Sequence, residues 1–222
     1  MDVHEDRGVY DIDCRRCDRL AHYLDETKRA YPTYFCRPVP PFGDKGARFL
    51  IVGLAPGLHG ANATGRAFTG DWCGPLLYSS LHRFGFASRA ASLDANDGLE
   101  LIDCRISNSV KCAPPQNKPD LIEIRQCNRY LAVELARSPQ LEIILSLGTI
   151  AHRAVIEALG LPIRMYRFGH HRHHLLPSGV KLINSYHVSR YNTQTKRLTE
   201  PMFHAVLAEV RDFLDGVRPQ LG

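Results

Sequence analysis

Short apolar runs alternate along this chain with longer stretches in which apolar residues recur at helical spacing. The apolar runs, which are rich in Ile, Val and Leu and suit buried strands, cover 48–54, 101–107, 142–147 and 180–185. The helical stretches that follow them cover 73–84, 120–135, 149–159 and 199–214. Strands that alternate with helices favour a parallel sheet with helices on both faces. We therefore expect an α/β fold of three layers, α/β/α, around a central four-stranded parallel sheet.

The residues before the first predicted strand differ from the rest. A helical pattern over 15–30 is followed by the proline-rich run RPVPPFG at 37–43. This N-terminal segment, residues 1–47, is typical of an extension that wraps over a domain rather than of a second domain. Because no linker or internal repeat interrupts the remainder, we predict a single domain over residues 1–222.

Polar loops follow three of the predicted strands, at 55–71, 108–119 and 186–198. In open parallel sheets, ligands bind at the carboxyl ends of the strands. Because these ends lie at one edge of the sheet, we expect the three loops to form a single site. This arrangement favours an enzyme or a ligand-binding protein over a structural protein.

The loop after the first strand carries the most chemistry. It reads GLAPGLHGANATGRAFTGD over 53–71, with glycines interleaved among polar residues. Glycines just past a strand let the backbone approach a ligand closely. A plain connector loop is the alternative, but long loops in compact domains are usually functional. The loop lacks the Gly-Lys-Ser/Thr ending of a phosphate-binding P-loop, so we expect no nucleotide cofactor.

Composition indicates which kind of partner and which cellular compartment to expect. The net charge of +5 is compatible with a polyanionic partner. No apolar run is long enough to span a bilayer, so no membrane association is expected. The N-terminal sequence MDVHEDRGVYDIDC is acidic and polar, unlike a secretory signal. The seven cysteines are then expected to be reduced thiols or metal ligands in the cytoplasm.

Four of the cysteines fall into two groups. Cys14 and Cys17 form a C-x2-C pair, and Cys112 and Cys127 are separated by fourteen residues. Four thiolates suit zinc or an iron–sulfur cluster, and the ligand set alone does not separate the two. Four scattered buried thiols are the alternative. A thiol redox enzyme is disfavoured because the C-x2-C pair does not follow the start of a βαβ unit.

Three long segments together resemble one known family, the iron–sulfur branch of the uracil-DNA glycosylase superfamily, and within it family 5 (type B). The segments are the loop at 53–71, SVKCAPPQNKP at 109–119 and SYHVSRYNTQTKRLT at 185–199. The resemblance implies a [4Fe–4S] cluster on the four cysteines. It also implies a monomer that hydrolyses the N-glycosidic bond of uracil and other deaminated or modified bases in double-stranded DNA. The target base must leave the stack before it can react.

The resemblance also implies catalytic residues. Related branches place a carboxylate or amide just after the first glycine of the loop, where this chain has Leu54 and Ala55. The catalytic carboxylate is therefore assigned to Asp71, which would orient water or stabilise the developing positive charge. Asp71 also suits a helix N-cap. His187 would hydrogen-bond the leaving base, and Asn117 would orient water or contact the base.

Further residues are assigned by the same resemblance. Phe68 would stack on the flipped base, or alternatively anchor the loop in the core. The residues expected to bind the base are Gly53, Ala55, Gly57, Phe68 and Asn108. Those expected to contact DNA are Arg66, Lys118, Arg190, Tyr191, Asn192 and Gln194.

Two questions stay open at this level. The run FGHHRHH at 168–174 suits a basic loop that faces DNA, a site of adventitious metal affinity, or a solvated turn. The apolar pair Leu54 and Ala55 also makes a noncatalytic metal-containing DNA-binding module conceivable. Uracil excision would distinguish the enzyme from such a module.

Overall fold

A computed structural model describes residues 10–216 and contains a six-stranded sheet with helices on both faces. Residues 1–9 and 217–222 lie outside the described part. Most of the N-terminal sequence that predicted the absence of a secretory signal falls within residues 1–9. The strands are β1 Phe42–Gly43, β2 Phe49–Gly53, β3 Cys104–Asn108, β4 Ile143–Leu147, β5 His173–Leu175 and β6 Lys181–Ser185. The helices are α1 Asp18–Ala30, α2 Ala61–Thr64, α3 Cys73–Arg83, α4 Leu121–Ala136, α5 Thr149–Ala158, α6 Arg190–Gln194 and α7 Glu200–Leu214.

The strand order is β1-β3-β2-β4-β6-β5. The four central strands are parallel, as the alternation of strands and helices predicts. The prediction of four strands omitted the two short edge strands, β1 and β5, which pair antiparallel to their neighbours. These edge strands have only two and three residues. They are strands because they hydrogen-bond to a neighbouring strand, and neither contains a run of apolar residues that would predict it.

The second predicted strand begins three residues later than expected. Asp103 has a φ of +50°, which no regular strand residue adopts, so β3 starts at Cys104. The carboxylate of Asp103 accepts hydrogen bonds from the backbone and side chain of Arg48, each at 2.8 Å. This contact holds the chain in a turn just ahead of the strand.

Two apolar clusters lie on opposite faces of the sheet. On one face, Leu77 and Leu81 of α3 pack with Phe203 and Val206 of α7. The cluster on the other face is formed mainly by α1, α4 and α5, through residues that include Leu20, Ile124, Leu131, Ala154 and Val155. The three predicted layers are therefore confirmed. No helix within residues 10–216 combines the length and apolarity that crossing a membrane requires.

The predicted ends of the helices that follow the sheet strands agree with the structure, whereas α1 begins at Asp18 and not at 15. Asp120 forms a capping box with Glu123, and the hydroxyl of Thr199 accepts the backbone N–H of Met202 at 3.4 Å. Gly85 and Gly160 follow their helices with φ of +72° and +68°.

The described part of the N-terminal segment, residues 10–47, packs against the loops that follow β2 and β3 and against α4. The backbone N–H of Val39 donates to the carbonyl of Lys111 at 2.7 Å, and that of Phe35 donates to Ala63 at 3.0 Å. The guanidinium of Arg19, in α1, forms an ion pair of 2.6 Å with Glu123 in α4. The segment therefore touches the loop after β2, the loop after β3 and the start of α4.

Candidate active site

Two glycines of the loop after β2 leave room for the carboxylate of Asp71. A β-carbon placed on Gly60 would lie 2.6 Å from Oδ2 of Asp71. A β-carbon placed on Gly57 would lie 3.3 Å from the same oxygen and 3.9 Å from Oδ1 of Asn117. The loops after β2 and β3 thus bring Asp71 and Asn117 close to the same face of Gly57, as the topology predicts.

The carboxylate of Asp71 has a structural contact and a free edge. Oδ1 accepts the backbone N–H of Cys73 at 2.9 Å, at the start of α3. Oδ2 faces Gly57 and Gly60. Burial raises the pKa of Asp71, and the backbone N–H groups of Cys73 and Gly74 oppose this only in part. The N-cap position of α3 is occupied by Trp72, so Asp71 is not the N-cap, although its Oδ1 accepts the first N–H of the helix. That contact leaves Oδ2 available to a ligand.

Asn117 lies in a strained turn. Gln116 and Asn117 both have left-handed backbone conformations, with φ of +55° and +58°. Residues other than glycine adopt such angles at a cost in conformational energy, and strained turns are concentrated at functional sites. The carbonyl of the next residue, Lys118, accepts a hydrogen bond from Nη2 of Arg19 at 3.2 Å. The side chain of Asn117 is exposed, so its amide is available to a ligand.

A second set of side chains meets at Gly53, the last residue of β2. A β-carbon on Gly53 would lie 2.5 Å from Oδ1 of Asn108 and 2.6 Å from Cζ of Phe68. Oδ1 of Asn108 is buried and accepts no hydrogen bond in the structure. A buried acceptor without a partner is costly, and a ligand N–H at this position would satisfy it.

Phe68 fits both predicted roles. Its ring is 6% exposed and belongs to the core cluster that includes Leu77 and Tyr78. Its backbone φ of +56° and the contact of its carbonyl with Gly74 place the ring beside Gly53. The centroid of the ring lies 6.2 Å from that of His187. The side chain therefore anchors the loop and lies beside both Gly53 and His187, and its stacking on a base stays a prediction.

His187 follows β6 and is held by its surroundings. Its backbone carbonyl accepts a hydrogen bond from the side-chain amide of Asn192 at 2.8 Å. Its β-carbon packs against Gly148, since a β-carbon added to that glycine would lie only 3.4 Å away. Burial lowers the pKa of His187 to about 4. The imidazole is therefore neutral at physiological pH and has one N–H that can donate to a ligand.

The pKa of His187 leads to the first testable prediction. We expect its imidazole to titrate near pH 4 in the folded protein, whereas the ordinary pKa is 6.5. Between these values the unfolded chain binds a proton that the folded site excludes, so His187 lowers the free energy of unfolding as the pH falls below 6.5. Long-range ¹H–¹⁵N NMR spectra of the histidines check this, with His187→Gln used to assign the signal. A signal that titrates near 6.5 and disappears in His187→Gln would contradict it.

Exposed basic and polar residues surround these groups. Lys118, Arg190 and Gln194 are exposed, and Tyr191 is 70% exposed. Asn192 differs from the others because its amide holds the carbonyl of His187, which makes it part of the support of the loop. Ala55 is partly buried against the cluster under α4 and α5, so it can present only backbone to a ligand.

Arg66 does not lie where a DNA-contacting residue is expected. Its side chain is 6% exposed, and Nη1 forms an ion pair of 2.7 Å with Asp97. Nη2 donates to the carbonyl of Ala95 at 2.7 Å. A buried and fully engaged guanidinium fastens the 92–97 loop and cannot reach a phosphate without breaking these contacts.

Trp72 is a surface residue that the sequence reasoning missed. It is 54% exposed, and its indole N–H donates to Oγ1 of Thr193 at 3.1 Å. The guanidinium of Arg190 lies 5.1 Å from the centre of its ring. The signal was available, because this is the one tryptophan of the chain and it directly follows Asp71.

The four predicted metal ligands line one small cavity. Cys14 and Cys17 come from the N-terminal segment, Cys112 from the loop after β3 and Cys127 from α4. The sulfur of Cys127 accepts the backbone N–H of Lys111 at 3.2 Å. The alternative of four scattered thiols is therefore wrong. Cys36 and Cys104 are buried elsewhere.

The environment of these thiols does not suit redox catalysis. Burial raises the pKa of Cys17 to about 11 and raises that of Cys112 further. Reactive thiols instead have lowered pKa values, because the thiolate is the nucleophile. The gathering of four cysteines around one cavity is instead typical of a metal site.

Comparison with known proteins agrees with the motifs. The profile of the uracil DNA glycosylase superfamily matches residues 40–211. The chain is 47% identical over 203 residues to the type-5 uracil-DNA glycosylase of Thermus thermophilus, covering 89% of this chain and 92% of that protein. It is 39% identical over 215 residues to the type-5 uracil-DNA glycosylase of Pyrobaculum aerophilum, covering 92% and 93%. The corresponding protein of Mycobacterium tuberculosis is 41% identical over 208 residues, covering 89% and 77%. The chain therefore belongs to the uracil DNA glycosylase superfamily and, within it, to the type-5 family.

Proposed function

We propose that this protein is a DNA glycosylase that hydrolyses the N-glycosidic bond of uracil in double-stranded DNA. The observation that carries the proposal is the convergence of the three polar loops. The carboxylate of Asp71 and the amide of Asn117 both lie close to Gly57, and the acceptor of Asn108 faces Gly53 without a partner. The third loop contributes His187, whose ring centroid lies 6.2 Å from that of Phe68. The type-5 relatives named above support the reaction.

The chemical steps divide among three side chains. The base leaves the stack and enters the space bounded by Phe68. As the bond between base and sugar breaks, the neutral imidazole of His187 donates a hydrogen bond to the oxygen on which negative charge develops. The free oxygen of Asp71 orients the attacking water or stabilises the positive charge on the sugar, and Asn117 holds the same water.

The inner groups would recognise the base. Uracil presents an N–H donor on its pairing edge, and the unpartnered oxygen of Asn108 is an acceptor. Ala55, Gly57 and Gly53 would contribute backbone groups, and the two glycines let Asn108, Phe68 and Asp71 approach the site closely. We propose that other deaminated or modified bases with a matching edge are also substrates, since most of these contacts are to backbone and to one amide.

We also propose a [4Fe–4S] cluster on Cys14, Cys17, Cys112 and Cys127. Among residues 10–216, no three of these sulfur atoms lie within 4.8 Å of one another. A tetrahedral zinc site with Zn–S bonds of about 2.3 Å needs sulfur atoms about 3.8 Å apart, so this wider spread favours a cluster. The cluster would supply a structural link, because its ligands connect the N-terminal segment to the loop that carries Asn117.

DNA would lie against the carboxyl ends of the central strands. Lys118, Arg190, Tyr191 and Gln194 are exposed there, and Trp72 extends the same surface. The lysine and arginine would contact phosphates, while the aromatic side chains occupy the position next to the vacated base. We propose that the protein acts on DNA as a monomer in the cytoplasm, where its thiols stay reduced.

Removal of one phosphate contact gives a second testable prediction. We expect Lys118→Ala to weaken binding to duplexes of any sequence and to reduce the slope of log affinity against log salt concentration by about 1. Fluorescence anisotropy at several salt concentrations measures both.

Arg83→Ala is the matched control for this variant. Arg83 is exposed and ends α3, at the opposite end of that helix from Asp71. It should leave the affinity and the slope unchanged. Equal losses in the two variants would mean that the overall charge, and not this surface, attracts DNA.

One assay tests the proposed function directly. The purified protein is incubated with a duplex that contains a single uracil, and abasic sites are then cleaved with alkali. We expect strand breaks at the uracil position and none in a matched duplex with thymine. An absence of breaks together with tight binding to abasic DNA would instead indicate a noncatalytic DNA-binding module.

A further inference from the structure

Two histidines and a glutamate meet at the edge of the sheet, far along the chain from the cysteines. Nε2 of His171 lies 2.9 Å from Oε2 of Glu209, and Nε2 of His173 lies 3.1 Å from the same oxygen. The three atoms all lie within 4.8 Å of one another. Residues 170–171 form a turn and stay partly exposed, as one interpretation of 168–174 expects, but His173 begins β5 and both histidines contact Glu209 of α7.

The three side chains come from rigid positions. The backbone N–H of His171 donates to the carbonyl of Asn184 at 2.7 Å, and His173 pairs with Ile183 in the sheet. Glu209 lies in the middle of α7. Its other oxygen, Oε1, accepts Nζ of Lys181 at 2.5 Å, which leaves Oε2 directed at the histidines. An outer partner that orients a carboxylate in this way is typical of metal sites.

We propose that His171, His173 and Glu209 bind a divalent zinc ion. Two imidazoles and a carboxylate are a common ligand set for zinc, with a water molecule in the fourth position. Tetrahedral bonds of about 2.0–2.1 Å place ligand atoms about 3.4 Å apart, close to the separations found here. The side chains of His171 and His173 are 36% and 40% exposed, so an ion and its water can enter.

Simple ion pairing explains the cluster less well. The negative charge of Glu209 already has a cation partner in Lys181, so it does not require two protonated imidazoles. Both imidazoles nevertheless turn their Nε2 atoms to one oxygen. Without an ion, neutral Nε2–H groups that donate to Oε2 give the same convergence, as in the 2.9 Å contact of His171. With zinc bound, each imidazole would carry its proton on Nδ1 and present the lone pair of Nε2 to the ion.

The site lies next to the loop that carries His187. The ring of His170 stacks on that of Tyr186 with centroids 5.0 Å apart, and its Nδ1 accepts the backbone N–H of Tyr186 at 3.2 Å. Zinc bound by His171 and His173 would therefore fasten the segment that supports the residue before His187. Its expected role is structural.

Zinc binding to the purified holoprotein tests the proposal. After treatment with a mild chelator, we expect wild type to bind one more equivalent of zinc than His171→Asn, measured by titration calorimetry. Asparagine tolerates the φ of +57° found at His171, so this variant should fold. Removal of an outer partner already costs 10–100-fold in metal affinity, so loss of a ligand should cost at least about 100-fold. The cysteines are the same in both proteins, and the difference therefore reports this site.

Two further measurements make the result decisive. Zinc at about 100 times the wild-type dissociation constant should raise Tm by about 5–11 °C in wild type and by no more than about 2 °C in His171→Asn. The control His22→Asn, which removes a surface histidine 3.2 Å from Glu26, should behave as wild type.

Anomalous scattering from wild-type crystals soaked in zinc should show a peak between the three side chains. A peak elsewhere, or equal zinc binding by wild type and His171→Asn, would overturn the proposal.

Discussion

Replacement of Asp71 by Asn is expected to slow uracil excision by at least about 100-fold, since acid–base groups contribute about 10²–10⁴-fold to such reactions. Asparagine has nearly the same shape, and its oxygen can still accept the N–H of Cys73 that Oδ1 accepts at 2.9 Å. The fold and the affinity for duplex DNA should therefore be retained. Single-turnover cleavage of a uracil-containing duplex measures the rate, and fluorescence anisotropy measures the affinity.

The pH dependence of the reaction adds a second readout for Asp71. Burial raises its pKa, and the reaction requires the ionised form. The rate of the wild type should therefore fall as the pH decreases through a value above the ordinary 3.8 of an aspartate. The residual activity of Asp71→Asn should lack this acidic decline.

Asp44→Asn is a suitable control for Asp71→Asn. Oδ1 of Asp44 accepts the backbone N–H of Gly46 at 2.8 Å, the same local contact that Asp71 makes with Cys73. The control should leave the rate unchanged. A full rate in Asp71→Asn, or equal losses in both variants, would show that the carboxylate of Asp71 has no part in the chemistry.

Replacement of Cys127 by Ser is expected to abolish the visible absorption of the protein and to reduce the folded yield several-fold. Cys127 is buried in α4, and its sulfur also accepts the N–H of Lys111. A metal group that binds only the folded chain contributes its binding free energy to folding, so loss of one ligand destabilises the protein directly. Absorption spectra, iron analysis and thermal unfolding of the soluble fraction check this.

Cys36→Ser provides the matched control for Cys127→Ser. Cys36 is also buried, and its sulfur accepts the amide of Asn62 at 3.5 Å, a contact that serine can replace. The control should keep the absorption and fold normally. If Cys127→Ser retained iron and absorption, the proposed ligand set would be wrong. If it lost the cluster but kept the fold and lost only excision, the cluster would have a chemical role instead of a structural one.

The central elements of the fold were predictable because their signals are local. A buried strand needs a short apolar run, and a helix needs an apolar face and a cap, as Asp120 and Thr199 provide. The edge strands β1 and β5 escaped prediction since each is short and one of them, His173–Leu175, is largely exposed. Only pairing with β3 and β6 makes them strands.

The candidate site was predictable in its outline but not in its contacts. The order of strands and loops was enough to place Asp71, Asn117 and His187 at one end of the sheet. The direction of a charged side chain is different, because it depends on partners that are distant in sequence. Arg66 faces inward because Asp97, on another loop, binds its guanidinium. Trp72 faces outward for a comparable reason, since Thr193 holds its indole N–H.

The sequence by itself determined the α/β class, the bounds of most elements, the family, and the candidates for catalytic and cysteine side chains. These features depend on local spacing and on long continuous motifs. Only the tertiary structure decided which atoms meet: the carboxylate of Asp71 with the glycines of its own loop, Asn108 with Phe68, and His171 with Glu209. The register of the parallel strands and the packing of the helices set these distances, and no local pattern in the chain encodes them.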